Sequence, residues 1–165
     1  MDKIKKIMNE LLPYIFIVVL VLIVKAFIVA PIRVNGSSMD NTLKDSDIML
    51  LDKISYNFGD IERFDIVVVE RENDFLIKRV IGLPGEKVEY NDDKLYINNK
   101  YVKVPFKHSY TKDFKTKVSK DGYFVMGDNR VVSLDSREFG SIKEDTILGK
   151  TSLVIFPFDR VGIKK

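Results

Sequence analysis

Residues Leu11 to Ala30 form a run of twenty that is apolar apart from Tyr14 and Lys25, with Pro13 near its start. As a helix rising 1.5 Å per residue, such a run is about 30 Å long, which matches the hydrocarbon thickness of a bilayer. Its β-branched stretch Ile15–Val24 offers no polar face, which argues against a helix on the surface of a soluble domain. The expectation is a transmembrane anchor over 11–30. Lys25 sits near the far end, where its four-carbon stem can snorkel to the interface. Lys3, Lys5 and Lys6 precede the span and favour a cytoplasmic N-terminus over residues 1–10, which puts 31–165 on the outer face of the cell membrane in a single pass. The competing reading is a cleaved secretory signal, with Ala26 and Ala30 as small residues near its end. The apolar core of such a signal is usually about 7–15 residues, shorter than this run.

The rest of the chain is of a different kind. A mean hydropathy of -0.04 averages one apolar segment with a strongly charged remainder. The 165 residues suffice for one ordinary domain plus an appendage. Cysteine is absent, which excludes disulfides, thiolate nucleophiles, zinc fingers and iron–sulfur clusters. One histidine, His108, excludes a two-histidine metal site and leaves a single possible histidine base. A net charge of +3 is too mild to indicate nucleic acid.

From Ile32 onward, short β-type runs alternate with turn residues. Ile48–Lys53, Ile66–Glu70, Phe75–Ile81, Lys87–Tyr90, Lys94–Ile97, Tyr123–Met126 and Ile147–Phe156 read as strands. Asn98-Asn99 reads as the turn of a hairpin over Leu95–Val102. Long amphipathic helices are missing from the pattern. The expected class is mainly β, an antiparallel β-sheet domain over 31–165 with a smaller β insertion at about 86–122. Lys100–Lys120 carries seven lysines and His108 against one acid, Asp113, with aromatic residues interleaved. Nucleic-acid binding fits that texture weakly, and a solvated insertion near anionic headgroups fits it better given the anchor.

Three polar, turn-rich stretches stand where strands should end. In Val34–Leu43, Gly36 precedes Ser37 and Ser38, each a candidate nucleophile or a plain turn residue. In Lys78–Glu86, Lys78 emerges from the apolar strand Phe75-Leu76-Ile77 and shares a face with Leu76 and Val80 by alternation. Burial disfavours its ammonium and lowers its pKa. The step matters, because an ordinary lysine near 10.4 is only about 0.04% neutral at pH 7. A neutral lysine can serve as base to a serine, whereas a strand-end lysine facing solvent cannot. In Gly127–Gly140, Asp128, Arg130, Asp135 and Arg137 can form a salt-bridged corner, and Ser133 can orient a lysine amine.

Taken together and behind one span, these stretches resemble the bacterial type I signal peptidases. Gly36, Ser38, Met39, Thr42 and Leu43 match the Gly-x-Ser-Met-x-Pro-Thr-Leu box. Lys78-Arg79-Val80-Ile81-Gly82-Leu83-Pro84-Gly85-Glu86 is similar to the Lys-Arg-x-x-Gly-Leu-Pro-Gly-Asp box, and Phe64–Val68 to a Gly-Asp-x-Val-Val strand. Gly127–Gly140 carries every fixed position of the Gly-Asp-Asn-Arg-x-x-Ser-x-Asp-Ser-Arg-x-x-Gly box. The resemblance implies Ser38 as nucleophile, Lys78 as general base, Ser133 as the hydroxyl holding Lys78, and Asp135 with Arg137 as a supporting ion pair beside Asp128. Asn41 stands in place of the box's proline, Phe64 in place of a glycine and Glu86 in place of aspartate. Gly36 occupies a position where one branch of the family has a serine oxyanion donor, which leaves the Ser38 N–H as the best available donor.

The implied activity is removal of N-terminal signal peptides from exported preproteins, cutting after small residues of the Ala-x-Ala type. Gly36, Met39, Leu43 and Leu76 are the expected substrate-binding residues. No metal and no cofactor are expected; the partners expected are preproteins and the lipid bilayer, with no nucleic acid. Two other classes compete. A self-cleaving repressor protease shares the Ser–Lys dyad but would carry a DNA-binding domain where the span stands. A non-enzymatic anchored β-domain would leave Lys78 exposed or distant from Ser38.

Overall fold

The computed structural model describes residues 2–72 and 74–164; within them, the side chains of residues 2–6, 23–27 and 57 are left undescribed. The chain opens with helix α1 (Asp2–Phe27), which contains Pro13. The helix therefore begins well before Leu11 and ends before Ala30. Val29 and Ala30, expected to close the span, instead open strand β1 (Val29–Arg33). Pro31 fits there because β1 pairs on one side alone, as an edge strand can. The described side chains Ile7–Leu22 are exposed all round the helix. Among the described residues, no helix is long and apolar enough to cross a membrane. The Lys3/Lys5/Lys6 cluster and the Lys25 side chain lie outside the described side chains.

The remainder is mainly β, in two antiparallel sheets. The larger is ordered β1, β2 (Ile48–Asp52), β11 (Ile147–Phe156), β3 (Ile66–Arg71), β4 (Asp74–Gly82), β9 (Gly122–Met126) and β10 (Ile142–Lys143), with β12 (Gly162–Ile163) paired to β11. The smaller is ordered β7 (Lys100–Val102), β6 (Lys94–Ile97), β5 (Lys87–Asn91) and β8 (Phe114–Lys117). Short helices α2 (Ser55–Phe58) and α3 (Ser136–Phe139) decorate the large sheet. Asn98 and Asn99 make the expected two-residue hairpin turn, both at positive φ, 51° and 66°.

Three apolar clusters join these layers. One fuses the small sheet to the large: Val88, Tyr90, Leu95 and Ile97 pack on Ile81, Phe124 and Met126. Gly82 lets them meet, since a Cβ there would come within 2.5 Å of Val88 and 2.8 Å of Val118. A second cluster holds Val67, Val69, Val80 and Val125 on β3, β4 and β9, with Leu76 at its margin. A third, Val34, Met39, Leu43, Met49, Ile66 and Val154, locks the segment after β1 onto the sheet. At about 1.5–3 kcal/mol for each fully buried side chain of this size, that last cluster contributes to holding the segment that carries Ser38 on the sheet.

Candidate active site

The segment between β1 and β2 is closed at its base. The Val34 N–H donates to Asp47 O at 2.8 Å and the Ser46 N–H to Val34 O at 2.9 Å. Asp47 is buried and receives Arg160 Nε at 2.8 Å and Nη2 at 2.9 Å, with the Lys44 N–H at 2.9 Å. Burial alone would raise the Asp47 pKa, but these donors bring it below the ordinary carboxylate value. Gly36 sits in this loop at φ 81° and its N–H donates to Asp45 at 2.7 Å. Met39 and Leu43 point inward as core residues. Ser38, between the exposed Gly36 and the buried Met39, is half-buried.

Across from it, β4 presents Lys78. Lys78 Nζ donates to Ser38 Oγ at 2.7 Å. Lys78 is 3% exposed. Its register partner is Val67, and its neighbours on the same face are Leu76 and Val80, all in one apolar cluster. Burial drives the Lys78 pKa below the ordinary lysine value; Asp135 pulls the other way, Arg137 adds to the depression, and Asp128 opposes it, with burial prevailing. Ser37 is exposed and makes no bond to Lys78, so the contact singles out Ser38 from the Ser-Ser pair.

Arg79, one residue on, faces the other way. Its Nε and Nη2 donate to Asp128 at 2.9 and 2.7 Å, its Nη1 to Phe64 O at 2.9 Å and its Nη2 to Thr42 at 3.3 Å. Its guanidinium lies 3.9 Å from the Phe106 ring centroid. Thr42 Oγ1 donates to Asp128 at 2.5 Å. The ion pair joins the Ser38 turn, β4 and the 127–140 loop. Sequence reasoning gave Arg79 no role, although a second cation inside an apolar strand was its signal.

The 127–140 loop is organised by Asp135. It receives Arg137 Nε and Nη2, both at 2.8 Å, and the Gly127 N–H at 3.0 Å. Arg137 also reaches the Arg130 carbonyl at 2.7 Å. The expected Asp135–Arg137 pair is thus formed, whereas Asp128 pairs with Arg79 rather than Arg130. Arg130 instead donates to Thr111 at 2.8 Å and lies over Tyr90. Ser133 is buried, but its Oγ has no hydrogen-bond partner, so the bond to Lys78 that the resemblance implies is not made. Ser133 instead lies beside the Ser38 carbonyl: a Cβ on Gly127 would collide with both Ser133 Oγ and Ser38 O.

Two departures from the boxes have a structural reading. Phe64, in place of a glycine, has φ 76°, a region where glycine is at ease and a bulky residue is strained by about 1–2 kcal/mol. Its ring meets Phe106 edge to face at 5.6 Å, an apolar contact glycine lacks. Asn41 has φ 89°. Proline, fixed near -65°, cannot take that value. The turn here is therefore a left-handed one built for asparagine rather than a loosened copy of a proline turn. His108 lies near Asp93 and packs against Tyr90 and Phe106, with no bond to Ser38. Among the described residues, no cluster of acids or histidine suits a metal ion.

Comparison with known proteins gives the family. The family profile described as signal peptidase, peptidase S26, matches residues 7–156. Signal peptidase IB of Staphylococcus aureus strain N315 is 41% identical over 91% of this chain and 92% of its own length. Signal peptidase I V of Bacillus subtilis strain 168 is 44% identical over 82% of this chain and 90% of its own. The crystal structure of a signal peptidase I from Enterococcus faecalis V583 superposes with a TM-score of 0.50 at 38% identity, covering 56% of this chain and 97% of that one. With a profile match across most of its length and relatives this similar, the chain belongs to the bacterial type I signal peptidases, the peptidase S26 family.

Proposed function

We propose that this peptidase is a membrane-anchored serine endopeptidase that removes signal peptides through a Ser38–Lys78 dyad, cutting after small residues. The carrying observation is a buried lysine amine 2.7 Å from a serine hydroxyl. In the neutral form, Lys78 Nζ takes the Ser38 proton as Oγ attacks the scissile carbonyl. The ammonium so formed gives that proton to the leaving amine, and an ester joins Ser38 to the signal peptide. Neutral Lys78 then takes a proton from water, hydroxide attacks the ester, and the proton returns to Ser38. The carbonyl oxygen's developing charge meets the Ser38 N–H. Asp128, Asp135 and Arg137 hold the surrounding loop.

The substrate would lie extended along the free edge of β1, which runs into the Ser38 turn. Gly36 supplies close backbone approach there, and half-buried Leu76 can line a pocket for small side chains, whereas Met39 and Leu43, expected to share that wall, are 1% and 0% exposed and serve the core instead. The anchor reading rests on the apolar run itself and on the exposed side chains Leu11–Leu22, which water would not tolerate on every face of a helix. The Lys3/Lys5/Lys6 cluster favours an inside N-terminus.

The test uses the full chain in lipid vesicles with a preprotein carrying an Ala-x-Ala site, reading the mature N-terminus. Ser38→Ala abolishes cleavage and Ser37→Ala retains most of it; the reverse result overturns the nucleophile. Protease added to intact cells removes the region after Pro31, and protection until lysis would reverse the orientation.

A further inference from the structure

The reading of Ser38 as nucleophile gives its backbone N–H a second task, and the structure shows what aims that N–H. The peptide joining Ser37 to Ser38 is planar and trans, so its C=O and N–H point in opposite directions. Whatever holds the Ser37 carbonyl therefore sets the direction of the Ser38 N–H. Two donors hold it: the Asp40 N–H at 3.1 Å and the Asn129 side-chain amide Nδ2 at 3.1 Å. The next carbonyl, of Ser38, accepts the Asn129 backbone N–H at 3.0 Å. Among the described residues the Ser38 N–H itself donates to no group, which leaves it free for an oxyanion.

Asn129 is itself held on three sides. The Val132 and Ser133 N–H groups donate to its carbonyl at 3.3 and 3.1 Å. Ser109 Oγ donates to its Oδ1 at 3.4 Å, and the Ser109 N–H donates to Asp128 O at 3.0 Å. Flipping the amide would set Oδ1 against the Ser37 carbonyl, two acceptors facing each other, while the Ser109 hydroxyl could serve either amide atom, so the Ser37 contact fixes the orientation.

We propose that Asn129 is a positioning residue that aims the Ser38 N–H at the developing oxyanion, an inference that rests on the Ser38–Lys78 reading. It touches neither substrate nor reacting atoms; it acts through the Ser37–Ser38 peptide. Its loss misdirects a donor that binds charge in the transition state, so kcat falls while substrate affinity and the titration of Lys78 stay as they were.

The experiment measures kcat and KM for a signal-peptide substrate across about pH 6–10, using the full chain in vesicles. The proteins are the parent, Asn129→Ala, Asn129→Asp, Ser109→Ala and Ser38→Ala. Asn129→Ala should lose about tenfold in kcat, less than the roughly 10²–10³ that deleting an oxyanion donor costs, with KM within about twofold and the alkaline limb unmoved. Asn129→Asp keeps the shape but sets a carboxylate against the Ser37 carbonyl, so it should lose at least as much. Ser109→Ala breaks only a long bond and should lose about twofold. Parental kcat in Asn129→Asp, a loss carried by KM, or a displaced limb overturns the proposal. If thermal unfolding shows Asn129→Asp to be misfolded, Asn129→Ala and Ser109→Ala decide by the same criteria. Cleavage that persists in Ser38→Ala sinks the dyad reading; cleavage that dies there but ignores every Asn129 change sinks this inference alone.

Discussion

The two sides of β4 each carry a buried cation, and the two are treated in opposite ways. On one side Arg79 is met by the Asp128 carboxylate, the Phe64 carbonyl, the Thr42 hydroxyl and the Phe106 ring. On the other, Lys78 is met by one neutral hydroxyl and a field of valine and leucine. Guanidinium cannot shed its proton in a protein and so must be paired when buried. An amine can shed its proton, and burial without a carboxylate partner encourages it to. The paired cation holds three chain segments together, while the unpaired one is left ready to accept a proton. On the proposed dyad reading, adjacent residues on one strand thus divide scaffold from chemistry.

The contrast breaks most visibly at Lys78. Lys78→Met keeps the volume and removes the base, so kcat/KM should fall roughly 10³–10⁴-fold, with stability within about 1 kcal/mol of the parent. A variant keeping a tenth of parental activity would end the idea of a lysine base. On the proposed dyad reading only neutral Lys78 takes the Ser38 proton, so kcat/KM should rise with pH along a limb centred below the ordinary lysine value. The stability sign follows from proton counts. Between the lowered folded pKa and about 10.4 the unfolded chain binds more protons, so stability rises with pH there, and Lys78→Met should abolish that rise. Leu76→Asp places a negative charge on the Lys78 face and should move the activity limb upward. His108→Ala should leave it alone; a limb that disappears in His108→Ala would restore a histidine base.

On the Arg79 side the expected effect is on folding. Arg79→Met strands the Asp128 carboxylate, which is fully buried, and should cost about 3–5 kcal/mol in a urea titration of the detergent-solubilised protein. Removing both charges, Arg79→Met with Asp128→Leu, should recover most of that loss. A single mutant as stable as the parent would show that the pair is not the clamp described above.

The sequence shows these two sides unequally. Alternation put Lys78 with Leu76 and Val80, and the structure keeps all three beside one cluster. Strands with strong β patterns stand within a residue or so of where the pattern put them: β6 and β11 match, and β2 and β3 differ at one end. Strand β1 was hidden because Val29 and Ala30 continue an apolar run, and β8, β10 and β12 because two to four polar or mixed residues carry no period. Pairing was the harder matter. Four charges in the 127–140 loop can pair in several ways, and local spacing suggested a closed corner. The true partner of Asp128 lies 49 residues back in the chain, which spacing cannot reveal.

The smallest effect sharpens the same comparison, because the turn over residues 38–42 touches both sides: Ser38 reaches Lys78, and Thr42 reaches Asp128 and Arg79. Asn41 closes that turn at φ 89°, one residue before the anchored Thr42. Asparagine tolerates this region and glycine tolerates it better, but glycine also gives the unfolded chain more freedom. The two terms oppose each other, so Asn41→Gly should change stability by no more than about 0.5 kcal/mol. If the Arg79 side holds the turn, cleavage by Asn41→Gly should stay within about twofold of the parent, since Thr42 keeps its partners whatever the residue before it. A large fall in kcat with unchanged stability would mean that Asn41, and not the Arg79–Asp128–Thr42 clamp, sets where Ser38 stands.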